Sequence, residues 1–167
     1  IGLTQFEPAG VVDRTPEELR AASWVASHQR ARSMVSGLCP TCSGPVDSRL
    51  EYCKDHDPRG GCDNCGWLLR LLAHFECRVC EDHVIVDPKR LPLFHPTVVA
   101  FYDDHDISTR VRTDDLGCAR RLFDLMTDHD GEIISEDPVR VAITASAGGD
   151  EVRVTIDETA SVVDVRR

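Results

Sequence analysis

The spacing of the cysteines constrains this chain more than any other feature of its sequence. Seven of its eight cysteines join one histidine in four pairs, each with two residues between the members. This gap lets both members of a pair point at one ion from a tight turn, and Cys and His are the usual ligands of tetrahedral zinc. The sequence therefore predicts two structural zinc ions, held by Cys39/Cys42, Cys53/His56, Cys62/Cys65 and Cys77/Cys80.

Two other uses of paired cysteines fit the sequence less well. A disulfide framework needs an oxidising compartment, and no secretion signal is visible. A redox-active Cys-x-x-Cys usually stands alone at a helix start, whereas these pairs occur in series. We therefore predict Zn²⁺ as the cofactor, and Cys118, which lies outside the pairs, as a small buried apolar side chain.

The sequence leaves open which pairs share an ion. Ten residues lie between Cys42 and Cys53 and eleven between Cys65 and Cys77, so these segments match in length and suit an antiparallel hairpin. Such a hairpin favours a nested arrangement, in which the first and last pairs form an outer site and the two middle pairs an inner site. In the sequential alternative, the first pair shares an ion with the second pair, and the third pair shares the other ion with the fourth. His74 and His83 are rival ligands.

The donor pattern points to structural and not to catalytic metal. A hydrolytic zinc keeps one position open for water, and typically has a glutamate nearby as base. Here protein side chains fill all eight positions, and the chain has no His-Glu-x-x-His motif. No nucleophile, carboxylate pair or phosphate-binding loop stands out, so the sequence nominates no catalytic residue and we expect no enzymatic activity.

The order of elements predicts an α+β fold in three parts. Residues 1–37 form a connector strand and helix, in which Thr15 and Glu18 make a capping box and Pro16 occupies the first helical position. This helix carries a thin apolar stripe and ends at Gly37. Residues 38–86 form a double-zinc ribbon that closes with a short strand over residues 84–86.

Residues 87–167 are predicted as an α+β domain, a helix packed on a C-terminal antiparallel β-meander. This second helix starts at Pro96 and ends near Asp106. Residues 114–127 fit either helix or strand, and we favour a short helical turn followed by a strand over residues 122–126. A hairpin turn at Asp130-Gly131 then leads back, and a Gly148-Gly149 turn joins two later strands with alternating apolar residues.

The charge balance bears on habitat and partners. The formal net charge is -10, and only Lys54 and Lys89 of the 19 basic residues are lysines. Screening by high intracellular salt removes the self-repulsion of such a surface, so we interpret the chain as halophilic and cytoplasmic. An acidic chain is poorly suited to grip DNA by itself. No apolar run approaches the roughly 20 residues that span a bilayer.

Four segments resemble one known family, the haloarchaeal ArsR-type winged-helix transcriptional regulators. The first is Thr15-Pro16-Glu17-Glu18-Leu19, followed by Leu38-Cys39-Pro40-Thr41-Cys42-Ser43-Gly44. The most specific is His95-Pro96-Thr97-Val98-Val99-Ala100-Phe101-Tyr102, and Ser135-Glu136-Asp137-Pro138 is the last. The resemblance covers their C-terminal zinc-bearing region and implies a regulatory or dimerisation role. DNA binding is implied only through an N-terminal winged helix, which these residues lack.

Our leading interpretation is a non-catalytic, zinc-stabilised module of a transcription regulator that forms a homodimer. A stand-alone zinc-ribbon adaptor that binds another protein is the alternative, and an exposed apolar patch within residues 67–72 would favour it. A zinc-dependent enzyme that uses His74 or His83 at an open metal position is a less favoured third reading.

Overall fold

The computed structural model describes residues 10–57 and 61–167. Its first helix, α1 (Pro16–Val35), begins where the capping residues predict. The Thr15 Oγ1 accepts a hydrogen bond from the Glu18 N–H at 3.3 Å, and the Glu18 carboxylate accepts one from the Thr15 N–H at 2.7 Å. Beyond the helix, Gly37 turns the chain with a φ of +81°, a conformation that glycine adopts without strain. The predicted start and end of this helix are confirmed.

The predicted ribbon is a three-stranded antiparallel sheet. Strands β1 (Val46–Tyr52), β2 (Leu71–Cys77) and β3 (His83–Val86) lie in that order. Val46 of β1 faces Cys77 of β2, and Tyr52 faces Leu71 at the other end. This register places the two ends of the hairpin next to the cysteine pairs, as the matched segment lengths predict.

The segment after the ribbon contains two short helices. A 3-10 helix (Pro88–Phe94) follows Asp87, whose carboxylate accepts a hydrogen bond from the Lys89 N–H at 2.9 Å. Helix α2 (Pro96–Asp104) begins at the predicted proline, and the His95 side chain caps it by accepting from the Thr97 N–H at 3.3 Å. The sequence did not predict the 3-10 helix.

The prediction for the region that follows α2 is wrong in two respects. Residues 122–126 are helical and not a strand, because α3 spans Cys118–Asp128. Asp130-Gly131 is not a hairpin turn either, since Gly131 pairs with Ile143 inside strand β4 (Asp130–Glu136). Cys118 and Leu122, one helical turn apart, are both buried, and this contact with the core selects the helix. The buried position of Cys118 is as predicted.

The C-terminal meander has the predicted topology. Strands β4, β5 (Val139–Ala147), β6 (Asp150–Ile156) and β7 (Val162–Arg166) pair antiparallel in sequence order. Between β5 and β6 the chain turns at Gly148 and Gly149, with φ values of +61° and +95°, as a two-residue hairpin turn of this type requires.

One core lies beneath both sheets. Phe75 of the ribbon, Tyr102 of α2 and Ile156 of the meander belong to the same cluster of buried apolar side chains. The turn between β6 and β7 also bonds the outer edge of β1, since the Leu50 N–H donates to the Glu158 carbonyl at 2.8 Å. No helix in the described ranges is long and apolar enough to cross a membrane.

Candidate metal centres

The first and last cysteine pairs form one group of four sulfur atoms. The Sγ atoms of Cys39, Cys42, Cys77 and Cys80 all lie within 4.8 Å of one another. Cys39 and Cys80 are 3.6 Å apart at sulfur, and Cys42 and Cys77 are 3.4 Å apart. We call this group the outer site. It lies where α1, the start of β1 and the end of β2 meet.

The two middle pairs form the second group, which we call the inner site. Ligand atoms of Cys53, His56, Cys62 and Cys65 also lie within 4.8 Å of one another. The Cys65 Sγ is 3.6 Å from the His56 Nδ1, and the Sγ atoms of Cys53 and Cys62 are 4.0 Å apart. The grouping is therefore the nested one, and the sequential alternative does not describe this fold.

Three of the four pairs are built on the same backbone turn, which we call the cysteine turn. In each, the first cysteine donates its N–H to the carbonyl five residues later, and the residue after the second cysteine donates back to the first cysteine's carbonyl. The residue after the second cysteine also has a positive φ, between 57° and 73°. The three turns are residues 39–44, 62–67 and 77–82. The bond from the N–H of the first cysteine measures 3.0, 3.0 and 2.8 Å in these turns, and the bond to its carbonyl measures 2.9, 2.7 and 3.2 Å.

The cysteine turn directs backbone N–H groups at sulfur. The Thr41 N–H donates to the Cys39 Sγ at 3.4 Å, and the Val79 N–H donates to the Cys77 Sγ at 3.4 Å. Hydrogen bonds from the backbone N–H groups of Cys80 and Val79 lower the pKa of Cys77 to about 7. Such bonds favour the thiolate, which is the form that binds metals.

Burial and close neighbouring thiols have the opposite effect, because they raise the pKa of a cysteine. Burial, together with the neighbouring Cys65 and Cys62, raises the pKa of Cys53 to about 11. The cysteines of each group, four in the outer site and three in the inner site, cannot all be thiolates at these distances unless a cation offsets their charge. The donor chemistry of both groups therefore fits a bound metal ion, and the backbone already favours the required thiolate at some positions.

The two sites differ in how they join the rest of the molecule. Cys39 and Cys77 of the outer site belong to the main core cluster and are each 1% exposed. Gly44 lies directly beneath the outer sulfurs, and a Cβ atom there would lie 3.1 Å from the Sγ of both Cys42 and Cys77. The inner site lies at the tip of the ribbon, where Cys62 is buried.

The two rival histidines lie outside both groups. The His74 Nε2 is 3.1 Å from a Glu51 carboxylate oxygen, and the imidazole and the Trp67 ring lie nearly perpendicular with their centroids 5.8 Å apart. Burial is the main cause that lowers the pKa of His74. His83 is exposed at the start of β3. The ligand sets that the sequence favoured are thus the ones that the fold brings together.

One residue next to the outer site was missed by the sequence analysis. The Asp82 carboxylate accepts a hydrogen bond from the Thr41 hydroxyl at 2.7 Å and forms an ion pair with Arg30 of α1. It also lies 3.9 Å from the Cys39 Sγ. Fifty-two residues separate Arg30 from Asp82, so no local pattern could have indicated this contact.

Comparison with known families places the whole arrangement in one group of proteins. The model of a domain of unknown function, DUF7351, matches residues 1–162. The chain belongs to the DUF7351 family. No curated protein and no solved structure matches it. Both four-donor groups of this DUF7351 chain lie within the matched residues.

A groove of about 450 Å³ lies beside the inner site of the DUF7351 chain, and Tyr52, Cys65 and Arg70 contribute to its walls. Next to it, Trp67, Leu68 and Leu69 are exposed by 39%, 78% and 42% of their surface. We call these three residues the tip patch. Consecutive exposed apolar side chains of this size often mark an interaction surface.

Proposed function

We propose that each site holds one Zn²⁺ ion, and that the chain is a non-catalytic regulatory and dimerisation module of a DNA-binding transcription regulator. The observation that carries the proposal is the pair of four-donor groups, which together contain all eight ligands that the sequence nominates. Seven of the eight donors are cysteines, and thiolate-rich tetrahedral sets are typical of structural zinc.

The geometry supports a structural role for the metal. Four protein donors complete a tetrahedral shell and leave no position for a reacting water. A structural zinc ion contributes on the order of 10 kcal/mol to folding. This contribution matters here because the ribbon supplies few large buried side chains, Leu50, Leu72 and Phe75 being examples.

The negative charge of this chain supports a regulator in which a separate segment contacts DNA. A formal net charge of -10 opposes contact with the phosphate backbone. Two of the segments that resemble the regulator family begin at Thr15 and His95. In the fold they form the cap of α1 and the start of α2. In our proposal, the module dimerises in a haloarchaeal cytoplasm, and a winged helix outside these residues contacts DNA.

Metal content and DNA binding test the proposal together. Elemental analysis of the purified chain should find two zinc ions per molecule. Cobalt(II) substitution should give tetrahedral spectra of one S₄ and one S₃N site. Fewer than two metals, or a spectrum with a coordinated water, would contradict the structural assignment. Light scattering should report a dimer. Tight, salt-sensitive duplex binding by this chain alone would contradict the proposal that a separate segment contacts DNA.

The tip patch favours one second candidate, a zinc-ribbon adaptor that binds another protein. A photoreactive amino acid at Leu68 would distinguish the two functions in living cells, with the same amino acid at Val163, which is 52% exposed on β7, as the control. An adaptor should give one discrete crosslinked partner from position 68 and none from position 163. Crosslinks between copies of this chain alone would favour the dimeric module.

A further inference from the structure

Asp82 lies between the outer site and helix α1. Its carboxylate accepts a hydrogen bond from Thr41, which lies inside the first cysteine turn, and it lies 3.9 Å from the Sγ of Cys39. The same carboxylate pairs with the Arg30 guanidinium on α1. The side chains of Asp82 and Arg30 are 15% and 41% exposed, so water screens this contact less than it screens a pair on the open surface.

Helix α1 depends on such polar contacts because its apolar face is small. Half of its six buried residues are alanines, Ala21, Ala22 and Ala31, and an alanine side chain buries little apolar area. Near its middle, α1 is also held by Arg90, whose guanidinium lies over the Trp24 ring and 3.4 Å from the His28 Nδ1. The Arg30 contact therefore adds a polar attachment to the C-terminal half of α1, where Ala31 and Met34 belong to the core cluster.

A metal ion in the outer site would hold Cys39 and Cys80 in one fixed geometry. Asp82 follows Cys80 by two residues, and its carboxylate bonds Thr41 inside the turn that begins at Cys39. The metal-bound turns therefore fix this carboxylate where it pairs with Arg30. Metal binding thus favours the docked position of α1.

We infer that Asp82 is a positioning residue that couples metal occupancy of the outer site to the docking of α1. The inference rests on the proposed metal binding and adds a regulatory consequence to it. Gain of the outer metal holds the C-terminal half of α1 against the ribbon, and loss of the metal releases it. Coupling between two equilibria is reciprocal, so the docked helix must also raise the metal affinity of the outer site.

The reciprocal effect gives a direct test on the full chain. Metal affinity is measured by competition with a chromophoric chelator, and cobalt(II) spectra separate the S₄ outer site from the S₃N inner site. R30Q should weaken the outer site by at least about fivefold, the lower end of typical coupling, and leave the inner site unchanged. D82N should do the same, and the double variant R30Q/D82N should weaken the outer site no further than either single change.

Two matched controls separate coupling from general damage. R32Q removes a charge from the same helix, and E132Q removes a carboxylate that pairs with Arg153 on the meander, away from the outer site. Both should keep the outer-site affinity within about twofold of the unaltered chain, a change well below typical coupling. R30K, which retains the positive charge, should restore most of the affinity that R30Q loses.

Hydrogen exchange gives the second readout. With both metals bound, the amides of residues 29–35 should exchange faster in R30Q than in R32Q, while the amides of the meander exchange equally in the two variants. An outer-site affinity in R30Q equal to that in R32Q would overturn the inference even if α1 were destabilised. A chain that binds no metal would instead overturn the proposed function, and elemental analysis distinguishes that result.

Discussion

The Tyr102 hydroxyl donates a hydrogen bond to the His129 Nε2 across 2.7 Å in the centre of the molecule. Both side chains are 1% exposed. The other ring nitrogen of His129 is the donor of a second bond, from its Nδ1–H to the Lys89 carbonyl at 2.7 Å. The neutral imidazole therefore uses one nitrogen as acceptor and the other as donor. These two bonds join α2, the end of α3 and the 3-10 helix.

Buried neutral histidines make the fold sensitive to acid. Burial lowers the pKa of His129, and burial with the neighbouring Arg90 lowers that of His28 to about 4. The unfolded chain, with histidine pKa values near 6.5, then binds more protons below that pH. The free energy of unfolding should therefore fall as the pH drops below about 6.5, by up to about 1.4 kcal/mol per pH unit for each histidine.

Urea denaturation between pH 7.5 and 5.5, with metal content checked at each pH, measures this slope. H28Q should reduce it, since one of the titrating groups is gone. H83Q, which changes an exposed histidine, serves as the control and should leave the slope as it is. An equal slope in H28Q and the unaltered chain would contradict the prediction.

His105 should respond to pH with the opposite sign. Its Nδ1–H donates to the Phe101 carbonyl at 2.8 Å, and its Nε2 lies 3.1 Å from an Asp150 carboxylate oxygen. The carbonyl and the carboxylate raise the pKa of His105, so its stabilising contribution is complete below about pH 6.5 and is lost as the pH rises through the folded-state value. Histidine NMR titration should show a lower His105 pKa in D150N and no change in D103N.

Gly44 is required by the packing of the outer site. A Cβ atom at this position would lie 2.9 Å from the Val79 Cγ2 and 3.1 Å from two sulfur atoms. G44A should therefore weaken outer-site metal binding and lower the free energy of unfolding by about 2 kcal/mol. Among the described residues, no atom lies within 4 Å of the place that a Gly61 Cβ would take, so G61A is the matched control. Equal chelator sensitivity of the two variants would refute the steric argument.

Loss of the two metals should have unequal consequences. Cys39 belongs to the main core cluster, so C39S should expose the amides of α1 and the ribbon to hydrogen exchange. Cys62 lies at the ribbon tip, outside that cluster, so C62S should affect mainly the residues around the inner site. Mass-resolved hydrogen exchange compares the two variants, and global unfolding of C62S with all amides unprotected would contradict the asymmetry.

High salt should stabilise the chain. The net charge of -10 repels itself, and the Debye length falls to about 3 Å at 1 M salt. The free energy of unfolding should thus increase between 0.1 and 2 M KCl. Neutralising two exposed acids, in D103N/E151Q, should reduce this increase. A salt response that is unchanged in the double variant would argue that charge repulsion is not its cause.

The parts of the fold that the sequence predicts are those set by local chemistry. The capping box at Thr15, the hairpin turn at Gly148 and the paired cysteines each depend on residues close in the chain. The nested grouping followed from two segments of similar length, which the register of Val46 opposite Cys77 reproduces.

The sequence-based predictions fail where tertiary contacts determine the local structure. Apolar residues in the segment 116–126 fit a helix and a strand equally, and the burial of Cys118 and Leu122 on one side of α3 could not be read locally. Strand β4 is mostly exposed, so it shows no strong alternation. Asp82 and Arg30 meet only because α1 packs beside the end of β2.

The hydrogen bond from Leu50 to Glu158 gives the turn between β6 and β7 a second role. Without this turn, the Leu50 N–H on the outer edge of β1 would lose its partner, and open sheet edges invite strand addition by neighbouring chains. The C-terminal turn therefore guards the ribbon against aggregation as well as completing the meander.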